Sequence, residues 1–146
     1  MANWLVMFRP ETYALVLQHG QIGVRAAHSA RFRALSPGDR FVVYVSRDRI
    51  LDGWGEVTGE PFASDAPLFG PGLDYPNRCP VRIVEQGHRR PVGDALWYLE
   101  TYSDLESTTP VNMLMCRGGF QEITDRDFDF LKSVMEGRPV LPVGNH

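Results

Sequence analysis

The side chains best suited to ligand chemistry in this chain are its arginines and its aromatics. Fourteen of the fifteen basic residues are arginine, Lys132 being the one lysine. A guanidinium pairs bidentately with phosphate and stacks on flat rings, although a GC-rich genome produces the same bias without any function. The charge is polarised along the chain. Between Arg9 and Arg49 seven arginines stand against three acids, and between Glu100 and Glu136 eight acids stand against three basic residues. The net charge of -3 argues against a broad polyanion-binding coat, but the basic segment is a local docking face for an anion.

Among the aromatics, Trp4 and Trp97 read as core filling, since tryptophan buries a large area. Trp54 lies between Gly53 and Gly55, with bare backbone on both sides, and reads either as core or as a platform for a flat ring. His28, close to Arg25, is either a surface helical residue or a hydrogen-bonding partner for a phosphate or base edge. Enzyme templates are missing: there is no Gly-rich phosphate loop, no HExxH and no GxSxG. A triad of Ser29, His28 and Asp65 has no support in its spacing. Asp125, Asp127 and Asp129 fit the start of a helix better than a metal site. Cys79 and Cys116 form no CxxC pair and have no histidine at ligand spacing, so neither zinc nor another cofactor is expected and both should be reduced thiols.

The elements that must position these groups can be read from periodicity and turn chemistry. At 146 residues, 43% of them hydrophobic, the chain has the length and composition of one domain with its own core. It is expected over 1–139, with 140–146 as a frayed tail. Trp4 to Phe8 reads as a buried central strand. A short helix starts at Pro10 and stops at Gly20, and a second spans about Ala26 to Leu35, ending before Ser36-Pro37-Gly38-Asp39. Phe41–Val45 and Ile50–Thr58 read as a hairpin bent at its glycines. A long connection from Pro61 to Pro80, carrying Phe69 and Tyr75, is a lid candidate. Val81–Val84 reads as a strand, Gly93–Leu99 as a short helix and Ser103–Pro110 as a polar loop. Thr124 caps the last helix with Asp127 as its capping-box partner, and Phe128, Leu131, Val134 and Met135 form its buried stripe. No apolar run reaches the roughly 18 residues that span a bilayer, so a cytoplasmic location is expected; the sequence does not fix the oligomeric state, of which a monomer is the favoured one.

The ordered set of motifs resembles the EVE domain family of the PUA-like superfamily, itself similar to the YTH domains. The set comprises Trp4-Leu5-Val6, Arg9-Pro10-Glu11, Gly23-Val24, and Pro37-Gly38-Asp39 leading into Val43-Tyr44-Val45. It continues through Gly53, Glu56-Val57, Glu60-Pro61, Pro67 with Phe69, Tyr75-Pro76 with Arg78, Arg117-Gly118-Gly119, and Ile123 before Asp127-Phe128. The resemblance implies an α+β fold, a strongly bent PUA-like β-barrel of about five to six strands with short helices packed around it. It also implies a reader of modified bases in DNA or RNA, with one base flipped into an aromatic-lined pocket. The residues implied for that pocket are Phe8, Arg9, Ile22, Gly23, Val24, His28, Trp54, Phe69 and Tyr75, with Arg25, Arg78 and Arg117 on the flanking phosphates. Two positions depart from the pattern: Phe8 stands where many relatives carry Asn, and Ile22 where they carry Trp. The first loses a bidentate partner for a base edge, the second a stacking wall worth about 1–3 kcal/mol.

Two other functions compete with the reader. Some PUA-like branches resemble hydrolases of modified nucleosides or acylated metabolites; such an enzyme would need a lysine or acid in the pocket. An accessory domain that binds a protein would also suit the polarised charge.

Overall fold

In the apolar run at the start of the chain, side chains alternate between the two faces of an extended strand, and both faces are covered. In the computed structural model, which describes residues 1–24, 32–66 and 75–138, this run is β1 (Asn3–Phe8). Helix α1 (Pro10–His19) comes next, with proline in its first turn and Gly20 in the left-handed region at its end. Then come β2 (Gln21–Val24), β3 (Arg40–Val45), β4 (Ile50–Val57), β5 (Phe62–Ala63), β6 (Asn77–Glu85) and β7 (Arg90–Pro91). Two 3-10 turns, Ala95–Tyr98 and Glu100–Tyr102, lead to α2 (Pro110–Cys116), β8 (Phe120–Ile123) and α3 (Asp125–Met135).

The strands form one curled sheet in the order β2-β6-β4-β3-β1-β8, with β5 added to β6 and β7 to β4. Its one parallel pair among the described residues is β1 with β3, registered from Asn3 opposite Arg40 to Phe8 opposite Val45. The Asp39 carboxylate pins the start of that pair. It accepts from the Ala2 amide at 2.9 Å, the Trp4 indole N–H at 3.1 Å and the Ser36 amide at 3.0 Å. Trp4 is thus core, with its polar edge paired in the interior, as buried indoles require; Trp97, also expected in the core, is instead half exposed.

Side chains from all six main strands converge inside the curl, among them Val6, Ile22, Val43, Val57, Cys79 and Phe120, together with Tyr13 and Val16 of α1. The other face carries Leu5, Val42, Tyr44 and Leu51, covered by the 3-10 turns and by Phe128, Leu131 and Met135 of α3. Each such side chain contributes about 1.5–3 kcal/mol on burial. This two-sided burial is why β1 and β3 read as continuous apolar runs rather than as alternating ones.

Curvature comes from β4. The β3–β4 ladder slips between Val43 and Tyr44, so Asp52 is an extra residue, and the β4–β6 ladder slips again between Trp54 and Gly55. A side chain at Gly53 would place its Cβ 2.0 Å from the Glu85 carbonyl oxygen, so only glycine permits the strands to approach there. Asp52 is buried and uses its carboxylate to hold the amides of Gly87 and Arg89 at 3.0 and 3.1 Å.

Several sequence expectations need correction. The connection from Pro61 to Pro80 is not loop throughout: β5 lies inside it, and β6 begins at Asn77, because β2 offers a partner that continues the ladder from Pro80 back to Asn77. Residues 67–74, including Phe69, lie outside the described residues, as do 25–31, which include 26–31 of the expected second helix. The short helix expected at Gly93–Leu99 is a 3-10 turn over Ala95–Tyr98. Helix α2 and strands β2, β7 and β8 were not expected. Thr109 caps α2 by accepting the Asn112 amide at 3.2 Å. The Thr124 cap on α3 is present, with the Asp127 amide at 3.1 Å. The Asp127 side chain does not return to Thr124 as a capping box would. It is 1% exposed and accepts from the Glu100 and Thr101 amides and the Thr101 hydroxyl, so it fastens the second 3-10 turn to α3. No helix among the described residues is long and apolar enough to cross a membrane.

Both cysteines are free thiols; Cys79 is buried and Cys116 exposed. Burial, helped by Glu60 and Asp39, pushes the Cys79 thiol up to about 12, so it stays protonated and inert across the ordinary pH range. A thiol reagent at pH 8 should therefore count one reactive cysteine in the native protein and two after unfolding without reductant. Two fast-reacting thiols in the native state would contradict this packing.

Candidate functional site

Strands β1 and β3 are parallel and in register, so they end at the same level, and the segments after them, Arg9 into α1 and the Ser46–Arg49 turn, emerge side by side. The Ser46 amide and hydroxyl both donate to the Phe8 carbonyl, at 2.8 and 3.2 Å, which ties the two ends together. A cleft of about 600 Å³ opens there, within the size range of small-molecule sites. Its lining includes Phe8, Arg9 and Thr12, Gly23 and Val24 of β2, Tyr44, Ser46, Arg47 and Arg49, Tyr75, and Met115 with Gly118, Gly119 and Phe120.

Four aromatic residues among those described border the cleft: Phe8, Tyr44 and Phe120, which are buried, and Tyr75, which is partly exposed. Phe8 is stacked on Tyr13, with ring centroids 6.0 Å apart and planes 10° apart, which fixes the Phe8 ring as part of the floor. The Tyr13 hydroxyl is held protonated by burial and by the nearby Asp52 carboxylate. At the rim, Gly119 has φ 82°, and a Cβ there would sit 3.1 Å from the Met7 carbonyl oxygen. The same two residues are joined by the Met7 amide donating to the Gly119 carbonyl at 2.8 Å. The Arg117-Gly118-Gly119 segment is thereby laid flat against the end of β1.

The other rim is cationic. Arg9, Arg47 and Arg49 are exposed, and Arg47 and Arg49 adopt left-handed backbone, with φ 70° and 56°. Such conformations are uncommon for residues with a side chain and are worth explaining. Arg47 pairs with Glu11 at 3.0 Å across the surface. The Glu11 carboxyl is held below its usual range first by its own backbone N–H in the opening turn of α1, then by Arg47.

The structure divides the sequence-predicted residues between this cleft and other places. Phe8, Arg9, Gly23, Val24 and Tyr75 are brought together in the cleft. Ile22 is not among the lining residues: it is fully buried, opposite Cys79 inside the curl. Trp54 is not among them either. The bulge at Asp52 turns it to the other face, opposite Val42, where its ring meets Phe128 edge-on at 5.7 Å and lies under the Lys132 ammonium at 5.1 Å. The Glu85 carboxyl beside it is held below its usual range chiefly by His88, 2.9 Å away. Arg78, expected on a phosphate, is 2% exposed. Its guanidinium donates to the carbonyls of Tyr75, at 2.6 Å, and Ala66, so its role is to hold the Tyr75 wall in place. Arg117 does not line the cleft; it donates to the Gln121 side chain at 2.7 Å from next to Gly118. Arg25, His28 and Phe69 lie outside the described residues. Sequence reasoning missed Arg47, Arg49 and Met115 as lining. The first two fall in the basic segment, which was the available signal; Met115 gave none.

No family model matches the chain. A UPF0310 protein of Pyrococcus abyssi is 26% identical over 98 residues, covering 60% of this chain and 69% of that one. The fold matches human THYN1, solved in complex with 5-methylcytosine-containing DNA, at TM-score 0.60 and 21% identity, covering 93% of this chain and 98% of that one. It also matches the YTH domain of Zygosaccharomyces rouxii MRB1, solved in complex with N6-methyladenosine RNA, at TM-score 0.60 and 12% identity, covering 96% and 89%. The curled open sheet with short helices is thus an α+β, PUA-like fold of the kind these proteins share.

Trp54 packs as structure, so its truncation should act on folding. Trp54→Ala is expected to lower unfolding free energy by about 2–3 kcal/mol, less than the loss of a fully buried aromatic because the ring is only partly buried. Denaturant titration measures it. A mutant as stable as the parent would mean that the Phe128 and Lys132 contacts contribute nothing.

Proposed function

We propose that this chain is a non-catalytic nucleic-acid-binding module of the EVE branch that reads a modified base flipped into the cleft at the ends of β1 and β3. One observation carries the reading: an aromatic-bordered cleft of about 600 Å³ shares its mouth with three exposed arginines, two of them on left-handed backbone. A flat base needs the walls and its phosphates need the arginines. The likeness in fold to THYN1 and a YTH domain, both solved with nucleic acid carrying a methylated base, supports it.

In this reading Tyr75 stacks on the extruded base, contributing about 1–3 kcal/mol, and Phe8, buried against Tyr13, closes the floor beneath it. With Phe8 where an amide would read the base edge, recognition falls to Thr12, Ser46 and the backbone groups around Gly23 and Gly119. Arg9, Arg47 and Arg49 take the flanking phosphates. Lys132, the lysine a hydrolase would call on, sits over Trp54 away from the cleft, which weighs against that competing reading.

Calorimetric titration with short oligonucleotides carrying 5-methylcytosine or N6-methyladenosine, beside unmodified controls, tests the proposal. Tighter binding of a modified oligonucleotide is expected, and equal or absent binding of all of them would contradict it. Three phosphate contacts imply that log affinity falls with log salt at a slope of about -3 on duplex DNA. Arg47→Gly should reduce that slope by about one while folding stability holds or rises, because glycine relieves the left-handed backbone. A variant that loses stability but keeps the parent's slope would remove Arg47 from the interface.

A further inference from the structure

The cleft mouth has two unlike sides, and β1 runs between them. On the β3 side stand Arg47 and Arg49; on the β8 side stands the end of α2, with Met115 and, one turn earlier, Val111. Met115 is 59% exposed. Of the large hydrophobic residues exposed among the described ones, it alone lines the cleft. A methionine at the rim of an anion-binding mouth adds nothing to charge recognition, and α2 does not need it for packing, since Leu114 is the residue that helix buries completely.

Extruding a base opens a gap and leaves the neighbouring base with a bare apolar face. Proteins that unstack bases commonly cover such faces with an apolar wedge such as Met, Leu or Phe. We propose that Met115, backed by Val111, is this wedge: it covers the base next to the extruded one while Arg47 and Arg49 hold the phosphate backbone across the mouth. The charge arrangement argues for this occupant, because a strand with anionic backbone on one edge and apolar bases on the other fits a mouth that is cationic on one side and apolar on the other. The inference rests on the reader function above and adds a residue that acts on the flanking base rather than on the modified one. Methionine suits the role because its unbranched, polarisable side chain adapts to different base faces.

The test compares two kinds of probe on the full chain: a short duplex with one central 5-methylcytosine or a short RNA with one N6-methyladenosine, and the matching free nucleosides. Met115→Ala should bind the oligonucleotide roughly tenfold more weakly, as expected when an apolar side chain no longer covers a base. Its affinity for the free nucleoside should fall far less than that for the oligonucleotide, its melting temperature should hold, and Met115→Leu should restore oligonucleotide binding. Parental oligonucleotide affinity in Met115→Ala would overturn the proposal. So would equal weakening toward nucleoside and oligonucleotide, which would make Met115 a wall of the base pocket. If the parent protein binds neither kind of probe, the reader function itself falls and this inference with it.

Discussion

The parallel pairing of β1 with β3 is the constraint on which the rest of the molecule depends. Parallel neighbours cannot be joined by a tight turn, so the chain must travel through α1, β2 and the segment up to Asp39 before it can return. That crossover supplies Tyr13, Val16, Ile22 and Val24 to the inside of the curl and sets Gly23 and Val24 beside the ends of the pair. Asp39 fixes one end through the Trp4 indole and two amides, and Ser46 fixes the other through the Phe8 carbonyl. With both ends held, Arg9 and the Ser46–Arg49 turn have a defined separation. The cleft opens beside these tied ends, with Gly118, Gly119 and Met115 among its other lining residues.

Where local chemistry and tertiary context agreed, the fold was legible in the sequence. Pro10 and Gly20 bounded α1, Thr124 opened α3, and the apolar runs of β1 and β3 announced strands covered on both faces. Legibility failed where pairing partners decided the outcome. Asn77–Pro80 looks like loop because of its proline and polar residues, yet it is strand because β2 lies alongside. Asp127 sits where a capping box would use it, but the amides of Glu100 and Thr101 claim its carboxylate. A sequence does not show that a turn 26 residues away will arrive with donors to satisfy.

The candidate cleft was legible in part. Arg9, Gly23, Val24 and Tyr75, named from motifs, and Phe8, named as a departure from one, line the same cleft. Trp54, read from its flanking glycines as either core or platform, packs away from the cleft, because the extra residue at Asp52 turns it to the side of Val42. Arg78 shows a general ambiguity of arginine, whose fork serves a phosphate and a pair of carbonyls equally well. Only burial tells the two apart. Arg47 and Arg49 were counted as charge but not as site, because nothing in a four-residue turn says which way left-handed backbone will aim the side chains.

The central claim is the location of recognition, and chemical-shift mapping tests it most directly. On titration of the isotopically labelled chain with an oligonucleotide carrying 5-methylcytosine or N6-methyladenosine, the largest amide shifts should fall on Phe8, Gly23, Ser46, Tyr75 and Gly119, with the Trp54 indole N–H unmoved. Shifts centred on Trp54 and Lys132, with the ends of β1 and β3 silent, would contradict the account.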